Sequence, residues 1–274
     1  MSEEEALHAP STVRALLRRH GLPAQQSFGQ NFLIDRHALQ AVVEAAGVGP
    51  TDTVLEVGPG LGVLTHELSK RAARVVAVEL DRRLEPVLAE TLAGRENVEI
   101  VWKDALKFDF TALPAGSLLV ANLPYNIATP LLVTALESRV FSRLVAMVQR
   151  EVAERLVATA GDEQYGAVSL ITRYYSEARI VRNVAPGSFY PAPEVTSAIV
   201  RLDARGGVRP RPQLFAVVRD AFRHRRKTLA RNLQMATDES IAQAVCEAAR
   251  EVGGEALDLA AFEKLSESLP ARGS

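Results

Sequence analysis

Residues 120–130 read VANLPYNIATP, and Asn122, Leu123, Pro124 and Tyr125 in the middle of that run are suited to chemistry more than to folding. The preceding SLLVA is the apolar run of a buried strand. Strand interiors avoid Asn and Pro, so the strand must end at Asn122. An amide, a turn carbonyl and an aromatic ring at a strand end suit reaction at the exocyclic amine of adenine. That amine is a poor nucleophile because its lone pair is delocalised into the ring, and no side chain deprotonates it near neutral pH. Two neutral acceptors aimed at its N–H bonds help instead, because they favour the pyramidal nitrogen that develops during attack. The Asn122 side-chain oxygen supplies one acceptor and the Leu123 backbone carbonyl the other, with Pro124 fixing the turn. Tyr125 offers a face on which a flipped base can stack. A plain strand followed by an Asn-Pro turn would explain the proline but not the tyrosine. Methylation of a cytosine carbon would need a cysteine nucleophile, and the single cysteine, Cys246, lies in the distal helical tail.

The electrophile is written in VLEVGPGLGVLT. Gly58, Gly60 and Gly62 follow a strand and open a helix, so backbone can approach a ligand closely. A glycine loop also occurs for a tight turn alone. The dinucleotide fingerprint needs glycine or alanine at position 63, where this chain has Val63. The GxGxG spacing therefore favours S-adenosylmethionine over a nicotinamide or flavin. Glu79 ends the second strand, 21 residues after Gly58, a distance at which an acid can accept both ribose hydroxyls. Asp104 follows the third strand and could accept from the cofactor's adenine amine. Each acid alone could be a solvated strand end; the loop and both acids together are hard to obtain by accident.

These groups need elements to place them. From about 53 to 202, TVLEV, VVAVEL, VEIVW, SLLVANL, RLVAMV, ARIVRNV and SAIVRL alternate with stretches that are apolar at helical spacing. Seven such strands predict an α/β layered domain with a mostly parallel sheet, and an antiparallel edge is expected from the last two. SFGQNFLID reads as a loop feeding a helix at Asp35, and FYPAPEV as a Pro-rich turn. After Leu202, DARGGVRPRP reads as a linker, and the remainder reads as helical. The expected domains are 1–204, including an N-terminal arm 1–35, and 205–274.

Composition excludes other classes. The 47 % hydrophobic and 24 % charged content is that of an ordinary globular protein. One cysteine cannot form an internal disulfide or a thiolate metal site, and the five histidines lack ligand spacing, so no metal is expected. No apolar run reaches membrane-spanning length, and the acidic MSEEEALHAP start lacks a secretory pattern, so a cytoplasmic protein is expected. Net charge is −1, yet 201–231 holds ten Lys or Arg against two Asp. That local excess points to an anionic partner. Arg219, Arg223, Lys227 and Arg231 recur at four-residue spacing, one basic stripe if helical, with Arg226 beside it. A solvated basic face is the ordinary explanation of such a run.

With QSFGQNFLID, EVGPGLG, VELD, KDAL, NLPY, VQREVAERL, FYPAPEVTSAIV and AFRHRRKTLARNL in hand, nearly the whole chain resembles the ribosomal RNA adenine dimethyltransferase family, and most closely its small-subunit (16S) branch. The resemblance implies a Rossmann-like class I methyltransferase domain and a small helical RNA-binding domain. It implies dimethylation of two adjacent adenosines near the 3′ end of 16S rRNA, within the small subunit or its precursor, by a monomer. By that likeness Asn31 and Leu33 touch the methionine end of S-adenosylmethionine and Gly58 its backbone-facing side. Glu79 would meet the ribose, Asp104 the adenine and Asn122 the transfer point. Phe189 would stack on the target adenine opposite Tyr125. Arg219, Arg223, Arg226, Lys227 and Arg231 would contact RNA phosphates, which position without reading sequence.

The chain departs from the family where Gln25 and Gln26 precede FGQNFL and Glu194 occupies the PxPxV turn; basic residues often stand at these places. This shifts expected RNA affinity towards the tail. The rival readings are a large-subunit rRNA methylase of the macrolide-resistance type, a non-catalytic ribosome-assembly factor, and a nicotinamide oxidoreductase. Retained Asn122, Tyr125 and Glu79 weigh against the second, and Val63 against the third.

Overall fold

Each of the seven apolar runs becomes a strand, and together they form one sheet in this computed structural model, which describes residues 7–22, 31–222 and 258–268. In chain order the elements are α1 (Pro10–Arg19), β1 (Phe32–Leu33), α2 (Arg36–Ala46), β2 (Thr53–Val57), α3 (Val63–Ser69), β3 (Arg74–Glu79), α4 (Glu85–Thr91), β4 (Val98–Trp102), β5 (Ser117–Asn122), α5 (Ala128–Ser138) and β6 (Phe141–Gln149). Then come α6 (Arg150–Val157), α7 (Ala167–Tyr175), β7 (Ser176–Val184), β8 (Phe189–Tyr190), β9 (Ser197–Ala204), α8 (Pro212–Ala221) and α9 (Leu259–Ser268).

The sheet order is β4-β3-β2-β5-β6-β9-β7. β2 to β6 are parallel, and β9 enters antiparallel to β6. The expected antiparallel region is therefore present, with β9 inserted between β6 and β7. The direction of strand addition reverses between β2 and β5. Right-handed crossovers then put α3 and α4 on one face and α5 on the other, and open a crevice at the carboxyl ends of β2 and β5. The central strands are buried on both sides, with Val54, Leu55, Leu119 and Leu144 at 0 % exposure, which is why they read as continuous apolar runs.

Asp35 caps α2: its Oδ1 accepts from His37 N at 2.8 Å and Ala38 N at 3.2 Å. The other end of α2 is closed by two arginines. Arg143 donates to the Ala46 carbonyl at 2.7 Å and Arg201 to that of Ala45 at 2.9 Å, and both also bond the Asp203 carboxylate. The Arg201 bond, ahead of the Arg143 bond in its effect, holds the Asp203 carboxyl below the usual range despite partial burial.

The chain divides into two compact units, Met1–Ala153 with Ala178–Ala204, and Glu154–Glu177 with Arg205–Ser274. The last cut, after Ala204, falls in the Gly-Pro-Arg stretch, whereas Glu154–Glu177, which carries α7, groups with the C-terminal helices. Aromatic rings fill that second unit. Phe215 sits between Tyr174 and Tyr175 with centroids at 5.1 and 5.4 Å, and Phe222 stands 6.0 Å from Phe262.

Candidate active site

The carboxyl ends of β2, β3 and β5, with the turn after β4, converge on a cavity of about 490 Å³. That volume suits a small nucleoside-type ligand. Asn31, Leu33, Gly58, Gly60, Glu79, Asp104, Asn122, Leu123, Pro124 and Tyr125 all line it, so ten of the residues singled out in the sequence are brought together.

The glycine loop leaves β2 with positive φ at Gly58, Gly60 and Gly62. That backbone strains any other residue at all three positions, and at two of them a side chain would also be crowded. A Cβ on Gly62 (φ 80) would lie 2.9 Å from Thr91 Oγ1, and one on Gly60 (φ 58) 3.2 Å from the Phe32 ring. At Gly58 the Pro124 ring lies 3.5 Å from where a Cβ would stand, so the loop and the NLPY turn are packed together.

Glu79 ends β3 and is almost buried. Its Oε1 accepts from the amides of Leu80 and Asp81, each at 2.8 Å, and the Gly60 amide also faces the carboxylate. Burial pushes its carboxyl up, and these amides partly offset the shift. The glycine loop and Glu79 thus hold one another. Asp104 caps the turn after β4, accepting from Leu106 N at 3.0 Å, with Lys107 Nζ at 3.9 Å. Leu80, missed in the sequence, lines the cavity while 65 % exposed. An apolar residue directly after a strand-ending acid was the available signal.

Asn122 stands in register with Met147 at the end of β5. Its Nδ2 donates to the Asn31 carbonyl at 3.0 Å, which leaves Oδ1 as the acceptor without a hydrogen bond among the described residues. The amide is thereby oriented as an amine-binding acceptor requires. Leu123 donates its N–H to Met147 O at 3.1 Å and buries its side chain, anchoring the turn. The Tyr125 and Ser197 hydroxyls share a hydrogen bond of 2.7 Å, and burial, eased by that bond, pushes the phenol up. Ser197, 0 % exposed, was quoted in a motif but given no role.

Phe189 is placed differently from the expectation. β1 and β8 form a two-stranded antiparallel ribbon, Phe32 opposite Tyr190 and Leu33 opposite Phe189. Alternation along the ribbon turns Phe189 into the core, 2 % exposed and outside the cavity lining, while Tyr190 is half-buried beneath the Arg14 guanidinium at 5.1 Å. In this structure the ring offers no face to a base. The ribbon is braced by Ser188 Oγ, which donates to Asp35 Oδ2 at 2.7 Å, and by Ile34 N, which donates to Ser188 O at 2.9 Å. At the rim, the Arg82 guanidinium stands 5.8 Å from the Trp102 ring, whose residue pairs with Glu79 in the sheet.

Of the basic stripe, Arg219 is on the exposed face of α8; Arg223, Arg226, Lys227 and Arg231 lie outside the described residues. Among the described residues no helix is long and apolar enough to cross a membrane, and no cluster of His, Cys, Asp or Glu could hold a metal ion.

Residues 21–259 match the family model described as ribosomal RNA adenine dimethylase. The ribosomal RNA small subunit methyltransferase A of Deinococcus radiodurans is 51 % identical over 230 residues, covering 84 % of this chain and 78 % of the relative. Its namesake from Geobacillus thermodenitrificans is 40 % identical over 280 residues, covering 95 % of this chain and 96 % of the relative. Among solved structures, a dimethyladenosine transferase from Plasmodium falciparum superposes with TM-score 0.72 at 27 % identity, over 85 % of this chain and 95 % of that one. The 23S rRNA methyltransferase ErmE superposes with TM-score 0.65 at 29 % identity, over 86 % and 98 %. This chain belongs to the ribosomal RNA adenine dimethylase family.

Proposed function

We infer that the protein is an S-adenosylmethionine-dependent rRNA adenine N6-dimethyltransferase acting on small-subunit (16S) rRNA. The observation that carries the reading is Asn122. It sits at the end of β5 beside the glycine loop, with its amide nitrogen bound to Asn31 O and its oxygen left to accept.

The residues present fit the cofactor. Gly58 and Gly60 let backbone approach it, Glu79 is set among backbone amides against the loop to meet the ribose, and Asn31 and Leu33 close the methionine side. When bound, S-adenosylmethionine supplies an electrophilic methyl group on a cationic sulfur. The protein's part is to present the amine. Asn122 Oδ1 and the Leu123 carbonyl accept its two N–H bonds, favouring the pyramidal nitrogen whose lone pair is free to react. Tyr125, held by Ser197, supports the base from one side. Methylation leaves the nitrogen cationic and it gives up one proton to solvent, so one N–H remains and a second transfer needs only one of the two acceptors.

The finer substrate is part of the proposal: two adjacent adenosines near the 3′ end of 16S rRNA, presented by the small subunit or its precursor, to a cytoplasmic monomer. The basic stripe from Arg219 to Arg231 would bind phosphates. The small-subunit names of relatives at 40 % and 51 % identity support this over the large-subunit alternative, whose named structure is 29 % identical. Methyl transfer to immature 30S particles, naked rRNA and large subunits, with nucleoside mass spectrometry, tests the reading. Dimethyladenosine confined to the small-subunit substrate is the expected result; product on large subunits alone overturns it.

A further inference from the structure

Glu56, the last residue but one of the core strand β2, takes no part in the chemistry described above. It is 1 % exposed and lines the cavity. Its Oε2 is buried without a hydrogen bond; the Thr65 hydroxyl on α3 lies nearby, yet Thr65 Oγ1 also completes none. A buried carboxyl left unsatisfied is costly, and native structures keep few of them without a ligand or special role.

Among the described residues its surroundings supply no compensating cation. β3 brings Glu79 towards it, and β5 brings the neutral Asn122. On α3, His66 is engaged by Arg95 at 2.7 Å, and Glu67 pairs with Lys70 and Arg71. The other charged groups on the cavity wall are Asp81, Asp104 and Lys103, the last exposed. Burial above all, with a smaller push from Glu79 and partial relief from Thr65, lifts the Glu56 carboxyl to about 8. Without a ligand it is therefore largely protonated at neutral pH.

S-adenosylmethionine brings positive charge, on sulfur and on its ammonium group, into this acid-rich wall. We propose that Glu56 is the buried counter-ion for that charge and releases its proton as the methyl donor binds, so that donor affinity is linked to pH. This rests on the cofactor reading given above. By linkage, affinity rises with pH wherever the free enzyme holds a proton that the complex has lost, and levels off once the free carboxyl is already ionised.

Calorimetric titration of the full-length protein with S-adenosylmethionine, in two buffers of different ionisation enthalpy, counts the protons. It is best done near pH 6.5, below the range of about 7.7–8.0 where an α-amino group titrates. The wild type is expected to release close to one proton per donor bound, and to gain up to about tenfold in affinity per pH unit from about 6 to 7. Glu56→Gln keeps the shape without the titration, and should bind with little proton release and a flat pH profile. Should that variant not fold, proton release persisting in Glu79→Gln supports Glu56, and its loss reassigns the proton to Glu79. Donor binding to the wild type without proton release overturns the inference and leaves the cofactor reading standing. No binding of the donor at all overturns both.

Discussion

On the side of the cavity where we place the methyl donor, Glu56, Glu79 and Asp104 stand on or just beyond three neighbouring parallel strands, and the ladder register fixes them. On the base side, position depends on single hydrogen bonds between distant segments. Asn122 reaches Asn31 across 91 residues, Tyr125 reaches Ser197 across 72, and Ser188 reaches Asp35 across 153. The donor side inherits its geometry from a backbone lattice that no one side chain controls. The base side is tuned by a few side chains and should respond to removing any of them.

The largest expected effect comes from Asn122→Ala. Deleting a preorganised acceptor that strengthens in the transition state should slow single-turnover methyl transfer by roughly 10²-fold or more, with little change in RNA affinity. Monomethyladenosine should accumulate if the side chain is the acceptor for the second transfer. A variant as fast as the parent in both steps would falsify the catalytic role of Asn122.

Glu79→Ala tests the donor side directly. It leaves the amides of Leu80 and Asp81 unpaired, so cofactor affinity should weaken by about 1–3 kcal/mol. The fold, held by the sheet, should persist. Unchanged affinity by calorimetry in a folded variant would remove Glu79 from the binding site.

A smaller effect is expected at Ser197, where the base side alone should suffer. Ser197→Ala and Tyr125→Phe each remove the same 2.7 Å bond, so each should lower kcat/KM by about tenfold or less, at about 1 kcal/mol. The two losses should not add in the double variant. Additive losses would show that Ser197 does not act through Tyr125.

Effects on stability carry opposite signs on the two sides. The folded Glu56 carboxyl is raised, so the cofactor-free protein binds more protons folded than unfolded. Its contribution to stability falls as pH rises from about 4.5 towards about 8. At Asp35 burial acts upward, but the donors Ser188, Ala38 and His37 outweigh it and leave the carboxyl below its usual range. Its contribution is present above about 3.8 and is lost as pH falls through the folded value. Thermal melts across pH should flatten between about 4.5 and about 8 in Glu56→Gln and at the acid end in Asp35→Asn. The same slope in variant and parent would reject either assignment.

The difference between the two sides also governs what could be read in advance. Strands announce themselves by apolar runs, and a strand end by the residue that breaks the run, so Glu79, Asn122 and the glycine loop were legible from spacing alone. Asp35 was legible as a helix start because capping is local. The ribbon was not: Phe32–Leu33 and Phe189–Tyr190 are two residues each, too short to show a period, and they read as a loop and a Pro-rich turn. The burial of Phe189 depends on which face of that ribbon meets the core, a long-range fact. Ser197 was hidden for the same reason, since nothing within a few residues of it indicates Tyr125. Glu56 passed unnoticed because TVLEV was read for its apolar residues, although a carboxyl in that run was the anomaly.

Trp102, the chain's single tryptophan, closes β4 opposite Glu79, under the Arg82 guanidinium and next to the cavity residues Lys103 and Asp104. The molecule therefore carries one native indole fluorophore, and it stands beside the wall where we place the donor. Its emission responds to local polarity and to the nearby cation, so filling the nucleoside end of the cavity should change the optical signal without a label. Because no second indole contributes, that signal belongs to one place in the fold.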